Sequence, residues 1–342
     1  MGTVYVTRED AFLGKNDERL TVKASKETIL DVPLLNVEGV VLFGRGSLSP
    51  ALVIELLERH IPLSFVTATG KYLGRLEPEM TKNIFVRRAQ WQAAGDSPKA
   101  IHLVRGFVRG KLKNYRNILL RRQRDRKELD LQTAIACLEA AIGSIETTSA
   151  LALSYVEGID SLRGLEGAGS AAYFSCFDSL ILGDTFTFAS RNRRPPRDPV
   201  NSLLSLGYAL LRHDVQSAIN LVGFDPYLGY LHYQRYGRPS LALDLMEEFR
   251  AIVVDAVVLN GVNHPYLTPE HFTTEPLSGA VSLTREGLQI FLRLYEQKKQ
   301  SKFKHPVMGK QCTYQEAFEI QARLMAKYLM DETDKYPPLI LK

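Results

Sequence analysis

The sequence predicts an α+β fold in which a small N-terminal β-rich domain, residues 1–78, precedes a larger all-α domain, residues 79–342. Two observations carry this prediction. Short apolar and β-branched runs separated by Gly, Asn, Asp and Pro fill the first part, whereas apolar residues recur at helical spacing throughout the second. The segment 77–79 (Glu-Pro-Glu) fits neither pattern and is the predicted linker.

The individual elements follow from these two periodicities. One helix is predicted in the first part between Ser49 and Arg59, because Pro50 suits a first helical turn and leucines follow it. The predicted strands are 4–6, 20–22, 39–43, 61–66 and 72–76. The predicted helices of the second part are 81–93, 98–124, 128–144, 148–183, 199–221, 240–259, 284–299 and 312–331.

The composition argues against membrane and secreted classes. No stretch approaches the ~20 consecutive apolar residues of a membrane helix, and the best candidate, 251–259, contains Asp255. The first residues lack the basic and then apolar order of a signal peptide. Three cysteines form no CxxC pair, so we expect reduced thiols in a cytoplasmic protein without membrane contact.

Positive charge is concentrated in one region of the chain. The net charge is only +5, but residues 81–127 contain 14 Lys and Arg against two acids, Asp96 and Asp125. Such a local field suits a polyanion, although a solvated helix face is the simpler alternative. Contacts with a nucleic-acid backbone are therefore predicted for Arg87, Arg88, Arg109, Lys111, Lys113 and Arg116.

An acidic cluster lies in the predicted helix 240–259. Asp244, Glu247 and Glu248 are spaced i, i+3 and i+4, so a regular helix would place all three on one face, where they repel each other. A bound cation would relieve this repulsion. Solvent together with Arg238 and Arg250 nearby would relieve it as well.

Two further segments bring single residues that suit a metal site. Turn signals in 223–229 would deliver His232 rigidly towards a neighbouring helix, although a lone histidine is more often structural. Glu166 is the only acid of the glycine-rich segment 164–174. Its three glycines cost a helix roughly 1 kcal/mol each relative to alanine, which indicates close approach of a backbone, a metal or a ligand; tight helix packing is the alternative.

One glutamate, one histidine and one further carboxylate would form an open site of oxygen and nitrogen ligands. Carboxylates suit Mg²⁺ or Mn²⁺, and the imidazole favours Mn²⁺. A metal in such a site can polarise a phosphodiester and activate a hydroxyl nucleophile. No thiol pattern indicates structural zinc.

A basic, proline-rich segment precedes the predicted helix 199–221. Asp198 suits the N-cap of this helix and Pro199 its first position. Arginines just ahead of a helix N-terminus can hold a phosphate, the alternative being a solvated basic loop. The predicted phosphate contacts are Arg191, Arg193, Arg194 and Arg197.

These segments together resemble a known family, the CRISPR-associated protein one family, which is the integrase of spacer acquisition. The matching blocks span most of the chain in the order of the family. They are Arg87-Arg88-Ala89-Gln90, Leu165-Glu166-Gly167 with Tyr173-Phe174, Arg193-Arg194-Pro195-Pro196 with Asp198-Pro199-Val200-Asn201, Gly223-Phe224-Asp225-Pro226 with Gly229-Tyr230-Leu231-His232, the segment 238–250, and Gln321-Ala322-Arg323.

The resemblance implies a fold, a ligand set and partners. It implies a β-rich N-terminal domain for dimerisation and partner contacts and a helical catalytic domain. The implied metal ligands and catalytic residues are Glu166, His232 and Glu247, with Asp244 as a supporting acid and Glu248 as the competing choice for the last ligand. It also implies a homodimer that joins a smaller partner, CRISPR-associated protein two, and leaves open a trimming nuclease.

The activity implied is insertion of a short duplex, the prespacer, into the double-stranded CRISPR repeat array by attack of its 3′-hydroxyl ends on phosphodiesters. The same site would hydrolyse DNA as an endonuclease. Two alternatives remain at this point: a repair nuclease that cuts branched DNA without integrating, and a DNA-binding scaffold without catalysis.

Overall fold

In the computed structural model, residues 2–67, 72–76, 83–147 and 154–342 are described. The predicted linker at 77–79, and with it the predicted domain boundary, lies outside these residues. The division of the chain into domains at 78 and 79 therefore stays a prediction.

Two four-stranded sheets form the N-terminal region. The first has the order β1-β5-β7-β8, with three parallel strands and β8 antiparallel at its edge; the strands are β1 (Gly2–Val6), β5 (Val37–Phe43), β7 (Leu63–Val66) and β8 (Tyr72–Leu76). The second has the order β4-β3-β2-β6, made of β2 (Phe12–Asn16), β3 (Arg19–Ala24), β4 (Glu27–Pro33) and β6 (Ser47–Leu48). All five predicted strands lie within or overlap these elements.

The single predicted helix of this region is α1 (Pro50–Glu58). It starts where expected, because the Ser49 side chain accepts a hydrogen bond from the Leu52 backbone N–H at 3.2 Å and Pro50 occupies the first turn. Leu52 and Leu56 are fully buried against the strands. The region therefore has an apolar core of its own.

The rest of the described chain is dominated by helices. They are α2 (Ile84–Gly95), α3 (Ser97–Asp125), α4 (Gln132–Thr147), α5 (Tyr155–Ser175), α6 (Pro199–Val222), α7 (Ser240–Leu245), α8 (Ala256–Asn263), α9 (Arg285–Gln300) and α10 (Tyr314–Leu329). The long α3 runs through the middle of this region and packs against α4 and α5. Because one face of α3 is buried and apolar, its apolar residues recur at helical spacing, and the sequence therefore predicted this helix.

Two predictions about this region are corrected. It is not all-α, because β9 (Phe272–Thr274) pairs with β10 (Val281–Leu283) and β11 (Lys302–Lys304) pairs with β12 (Gln311–Thr313). Strands of three residues are too short to show an alternating pattern. The start of the helix predicted for 148–183 lies outside the described residues, since 148–153 are not described. The observed helix, Tyr155–Ser175, ends earlier than predicted because the chain continues into a short 3₁₀ turn at Asp178–Leu180.

The helix predicted for 240–259 is also irregular. It consists of α7, a 3₁₀ turn at Met246–Glu248, a π-helical stretch at Arg250–Asp255 and then α8. Single π-helical turns inside helices occur frequently at functional sites. In the described ranges, no helix combines the length and apolar character needed to cross a membrane.

Candidate active site

Glu166 lies on α5 and faces α3. The two helices approach closely one turn later, where a Cβ on Gly169 would lie 2.4 Å from Leu112 Cδ2. The Glu166 carboxylate contacts the ammonium of Lys111 on α3 and accepts a hydrogen bond from Ser170 Oγ at 2.8 Å. Three glycines of α5 indicated the close approach of another group, and Gly169 is the one at which another helix lies that near. No atom lies within 4 Å of a Cβ built on Gly164 or on Gly167.

His232 is held by the turn that was predicted to deliver it. The backbone N–H groups of Tyr230, Leu231 and His232 all donate to the carboxylate of Asp244, at 2.6, 2.9 and 2.9 Å. Gly229 permits this arrangement, because a Cβ there would lie 2.6 Å from the carbonyl carbon of Ser240. The loop is thus clamped onto the start of α7.

Asp244 also fixes the imidazole of His232. The His232 Nδ1 atom lies 2.7 Å from Asp244 Oδ1. In the tautomer in which Nδ1 donates its hydrogen to this carboxylate, Nε2 keeps its lone pair. Nε2 lies 3.7 Å from Glu247 Oε1, so the free nitrogen faces the second carboxylate of the site.

Glu247 is 3% exposed and lies among three basic groups. Its carboxylate contacts Lys111 Nζ at 2.6 Å and Arg250 Nε at 3.0 Å. Burial alone would raise the pKa of Glu247, but the neighbouring basic groups, Arg250 and Lys111 foremost, outweigh it and lower the pKa to about 2. The Lys111 ammonium is thus the close partner of the buried Oε2 atom.

The three acids of this segment do not share one face, which corrects the prediction from regular helical spacing. Asp244 holds the His232 loop and Glu247 faces Lys111. Glu248 points elsewhere: it accepts hydrogen bonds from Tyr336 Oη at 2.6 Å, and from Gln321 Nε2 and the Leu339 backbone N–H at 2.8 Å each. Asp244 and Glu247 both lie beside the His232 ring, whereas the 3₁₀ turn changes the angle per residue and directs Glu248 away from them.

Lys111 lies inside the site and not on an exposed basic surface. It is 5% exposed and contacts both Glu166 and Glu247. Its sequence neighbours at helical spacing, Phe107 and Tyr115, are buried apolar residues. A lysine on the apolar face of α3 was therefore the available sequence signal for a residue of the site.

A second group that the sequence did not single out extends from Arg250. Its guanidinium lies 4.6 Å from the centre of the Tyr208 ring, and Tyr208 Oη donates to Asp255 Oδ1 at 2.6 Å. Burial raises the pKa of Asp255 to about 6. The guanidinium of Arg191 lies 5.6 Å from the same Tyr208 ring, so the arginine-rich segment adjoins the site through Tyr208.

The helix start behind this segment is as predicted: Asp198 accepts from the Asn201 backbone N–H at 2.8 Å, and Pro199 begins α6. Arg191 is half-buried and donates to Asn201 Oδ1 at 2.6 Å and to Ser205 Oγ at 3.1 Å. The remaining arginines of the segment are exposed: Arg193, Arg194 and Arg197.

The other basic residues predicted to contact DNA lie on α2 and α3. Arg88 is exposed, whereas Arg87, Arg109 and Lys113 are half-buried. Arg116 pairs with Glu139 at 3.2 Å. Their contacts with DNA stay predictions.

The donor set fits a divalent cation. Oε2 of the buried Glu247 contacts the Lys111 ammonium, Nε2 of His232 lies 3.7 Å from Glu247 Oε1, and Glu166 contacts the same ammonium, so two carboxylates and an imidazole lie close together. In the parts of the chain that the structure describes, no three His, Cys, Asp or Glu side chains already converge at metal-binding distance. The Lys111 ammonium contacts both carboxylates instead.

Sequence comparisons match this architecture to known proteins. Residues 4–297 match the family model described as CRISPR associated protein Cas1. The chain is 38% identical over its whole length to CRISPR-associated endonuclease Cas1 3 of Thermus thermophilus, covering 98% of that protein. It is 31% identical over 99% of its length to 60% of a Cas4 exonuclease/Cas1 endonuclease fusion of Geobacter sulfurreducens.

Solved structures agree with the sequence matches. The Cas1 protein TM1797 of Thermotoga maritima is 26% identical with a TM-score of 0.78, over 96% of this chain and 97% of that one. A chain of a partial Cas6-RT-Cas1–Cas2 complex is 25% identical with a TM-score of 0.68, over all of both chains. A casposase bound to an integration product shares the fold with a TM-score of 0.82 at 19% identity, over 100% of this chain and 95% of that one. The family match and the full-length relatives show that this chain belongs to the Cas1 family of CRISPR-associated proteins.

Proposed function

We propose that this chain is a metal-dependent DNA integrase and endonuclease that inserts short duplex DNA into a CRISPR repeat array. The observation that carries the proposal is the meeting of Glu166 and Glu247 at one buried cation, with His232 oriented beside them. Two carboxylates suit an Mg²⁺ or Mn²⁺ site for phosphoryl chemistry, and the imidazole favours Mn²⁺. Relatives named Cas1 endonucleases support the nuclease activity.

Each residue of the site has a role in this proposal. Glu166, Glu247 and His232 Nε2 would hold the cation, and Asp244 keeps the imidazole in the required tautomer. When bound, the cation would stabilise charge on the attacked phosphate and lower the pKa of the attacking 3′-hydroxyl. Arg250 fixes the Glu247 carboxylate from the protein side.

Strand transfer requires DNA to be held along the protein surface. The exposed Arg193, Arg194 and Arg197 lie next to Arg191, which adjoins the site through Tyr208. They would bind phosphates of the duplex without reading its sequence. In the transfer itself, the 3′-oxygen loses its proton to water and forms a bond to a phosphorus of the repeat. The bond between that phosphorus and the 3′-oxygen of the repeat strand breaks, and the released oxygen takes up a proton to become a 3′-hydroxyl.

We further propose that the chain works as a homodimer together with Cas2 on the double-stranded repeat array in the cytoplasm. The likeness to a chain of a Cas1–Cas2 complex supports the Cas2 partner. Relatives in which Cas4 and Cas1 are fused support an exonuclease as an additional partner.

The deciding experiment supplies a short labelled duplex, purified Cas2, Mn²⁺ and a plasmid that carries repeats. We expect the label to become covalently joined to the plasmid, and we expect no joining when the duplex ends in 3′-dideoxynucleotides. Cleavage of branched DNA without any joining would instead identify a repair nuclease.

A further inference from the structure

The Lys111 ammonium is the internal counter-charge of the active site. It contacts Glu166 on α5 and lies 2.6 Å from Glu247 Oε2, and its side chain is only 6% exposed. The Tyr115 ring, whose centre lies 5.5 Å away, and the positive charge of Arg250 are also near it. The buried Asp255 interacts with the ammonium from farther away, but the acids that contact it directly are Glu166 and Glu247.

The metal proposed above needs the same two carboxylates. A divalent cation bound to Glu166 and Glu247 cannot share them with a buried ammonium at contact distance, because the two cations repel each other strongly in a site with little water. Displacing the ammonium without a new partner would leave a buried charge unpaired, which is strongly unfavourable. A DNA phosphate brings a negative charge to the site and can serve as that partner.

We infer that Lys111 is a resident cation that a divalent metal must displace from Glu166 and Glu247, and that a DNA phosphate receives the displaced ammonium. This inference rests on the proposed metal site. Its consequence is that metal and DNA bind cooperatively: each raises the affinity for the other by the same factor, as thermodynamic linkage requires. Lys111 thereby keeps the metal weakly bound until substrate is present.

The test measures Mn²⁺ binding by electron paramagnetic resonance, with and without a duplex that has no 3′-hydroxyl ends. In Lys111→Met the competitor is gone, so without DNA we expect Mn²⁺ to bind about tenfold more tightly than in the wild type, or tighter still. Adding DNA is expected to strengthen binding less in the variant than in the wild type. Lys327→Met is the matched control, because Lys327 is an exposed helical lysine on α10, and it should behave as the wild type.

Equal or weaker Mn²⁺ binding in Lys111→Met without DNA would overturn the inference. A failure of the metal site itself is distinguished by Glu166→Gln: if this variant binds Mn²⁺ as the wild type does, the proposed ligand set is wrong whatever Lys111 does.

A measurement on the wild type covers the case in which the variant does not fold. Acetylation of lysines by an N-hydroxysuccinimide ester, read by mass spectrometry, should modify Lys111 slowly compared with Lys327. Saturating Mg²⁺ should accelerate the modification of Lys111 several-fold, and addition of the duplex should slow it again. Unchanged Lys111 reactivity on adding Mg²⁺ would contradict the displacement.

Discussion

Asp244 Oδ1 lies 2.7 Å from His232 Nδ1, and the same fully buried carboxylate accepts the backbone N–H groups of three consecutive residues that end in His232. One side chain therefore holds both the loop and the ring that the loop delivers. Asp244 acts through His232, which makes it a positioning residue.

Asp244→Asn is expected to weaken Mn²⁺ binding about 10- to 100-fold and to destabilise the fold by about 2–4 kcal/mol. The amide cannot accept through its nitrogen, so part of the backbone clamp is lost and the hydrogen on Nδ1 is no longer specified. Metal titration and thermal unfolding measure the two effects. Asp184→Asn, at an exposed position, should change neither.

Gly229→Ala is expected to destabilise the protein by about 2–4 kcal/mol, because its Cβ would lie 2.6 Å from backbone of Ser240 that cannot move aside. Gly164→Ala is the contrasting variant. No atom lies within 4 Å of the added Cβ, so it should stabilise α5 by roughly 0.5–1 kcal/mol. Denaturant unfolding of both variants measures these changes. A lower stability of Gly164→Ala would show that the added methyl group is in steric conflict with a neighbouring group.

The raised pKa of the buried Glu248 carboxyl makes the stability of the fold depend on pH. Burial raises its pKa to about 8, above the value of about 4.3 expected in the unfolded chain. Between these values the folded protein holds a proton that the unfolded chain has lost, so the free energy of unfolding falls as the pH rises. The Glu248→Gln variant has no such group and should lose less stability between pH 5 and pH 8, by a few kcal/mol. Parallel pH dependences of the two melting temperatures would exclude this account.

If the arginines of the segment 191–197 bind DNA phosphates, DNA binding should weaken as the salt concentration rises. Arg193→Ala and Arg197→Ala should each weaken duplex binding. Each should also reduce the magnitude of the slope of log affinity against log salt concentration by about one, which is the contribution of one phosphate contact. Fluorescence anisotropy at several salt concentrations measures this slope. Lys327→Ala removes the same charge from an exposed position on α10 and should leave the slope unchanged.

Most of the fold was predictable because long helices and strands repeat a period over many residues. The helix predicted for 98–124 is observed as α3, Ser97–Asp125, and the one predicted for 199–221 as α6, Pro199–Val222. The hairpins near Gly279 and Gly309 were missed, since three residues in a strand carry no period.

Glu166, His232 and Glu247 were singled out from the sequence, and their role as metal ligands stays a prediction. The structure places Glu166 and Glu247 against the Lys111 ammonium, and His232 beside Glu247. Regular spacing could not reveal the 3₁₀ turn that separates Glu247 from Glu248, because that turn depends on tertiary packing. The charge count that predicted a DNA contact for Lys111 did not predict its burial, although its apolar neighbours at helical spacing indicated it.

In the proposed function, Glu166 belongs to a metal site that joins DNA ends. The most direct measurement compares Mn²⁺-dependent joining of a labelled duplex to a repeat plasmid by the wild type and by Glu166→Gln, with duplex affinity measured on the same preparations. We predict that Glu166→Gln abolishes joining while its DNA affinity stays within about twofold of the wild type. Undiminished joining by Glu166→Gln would contradict the proposed site.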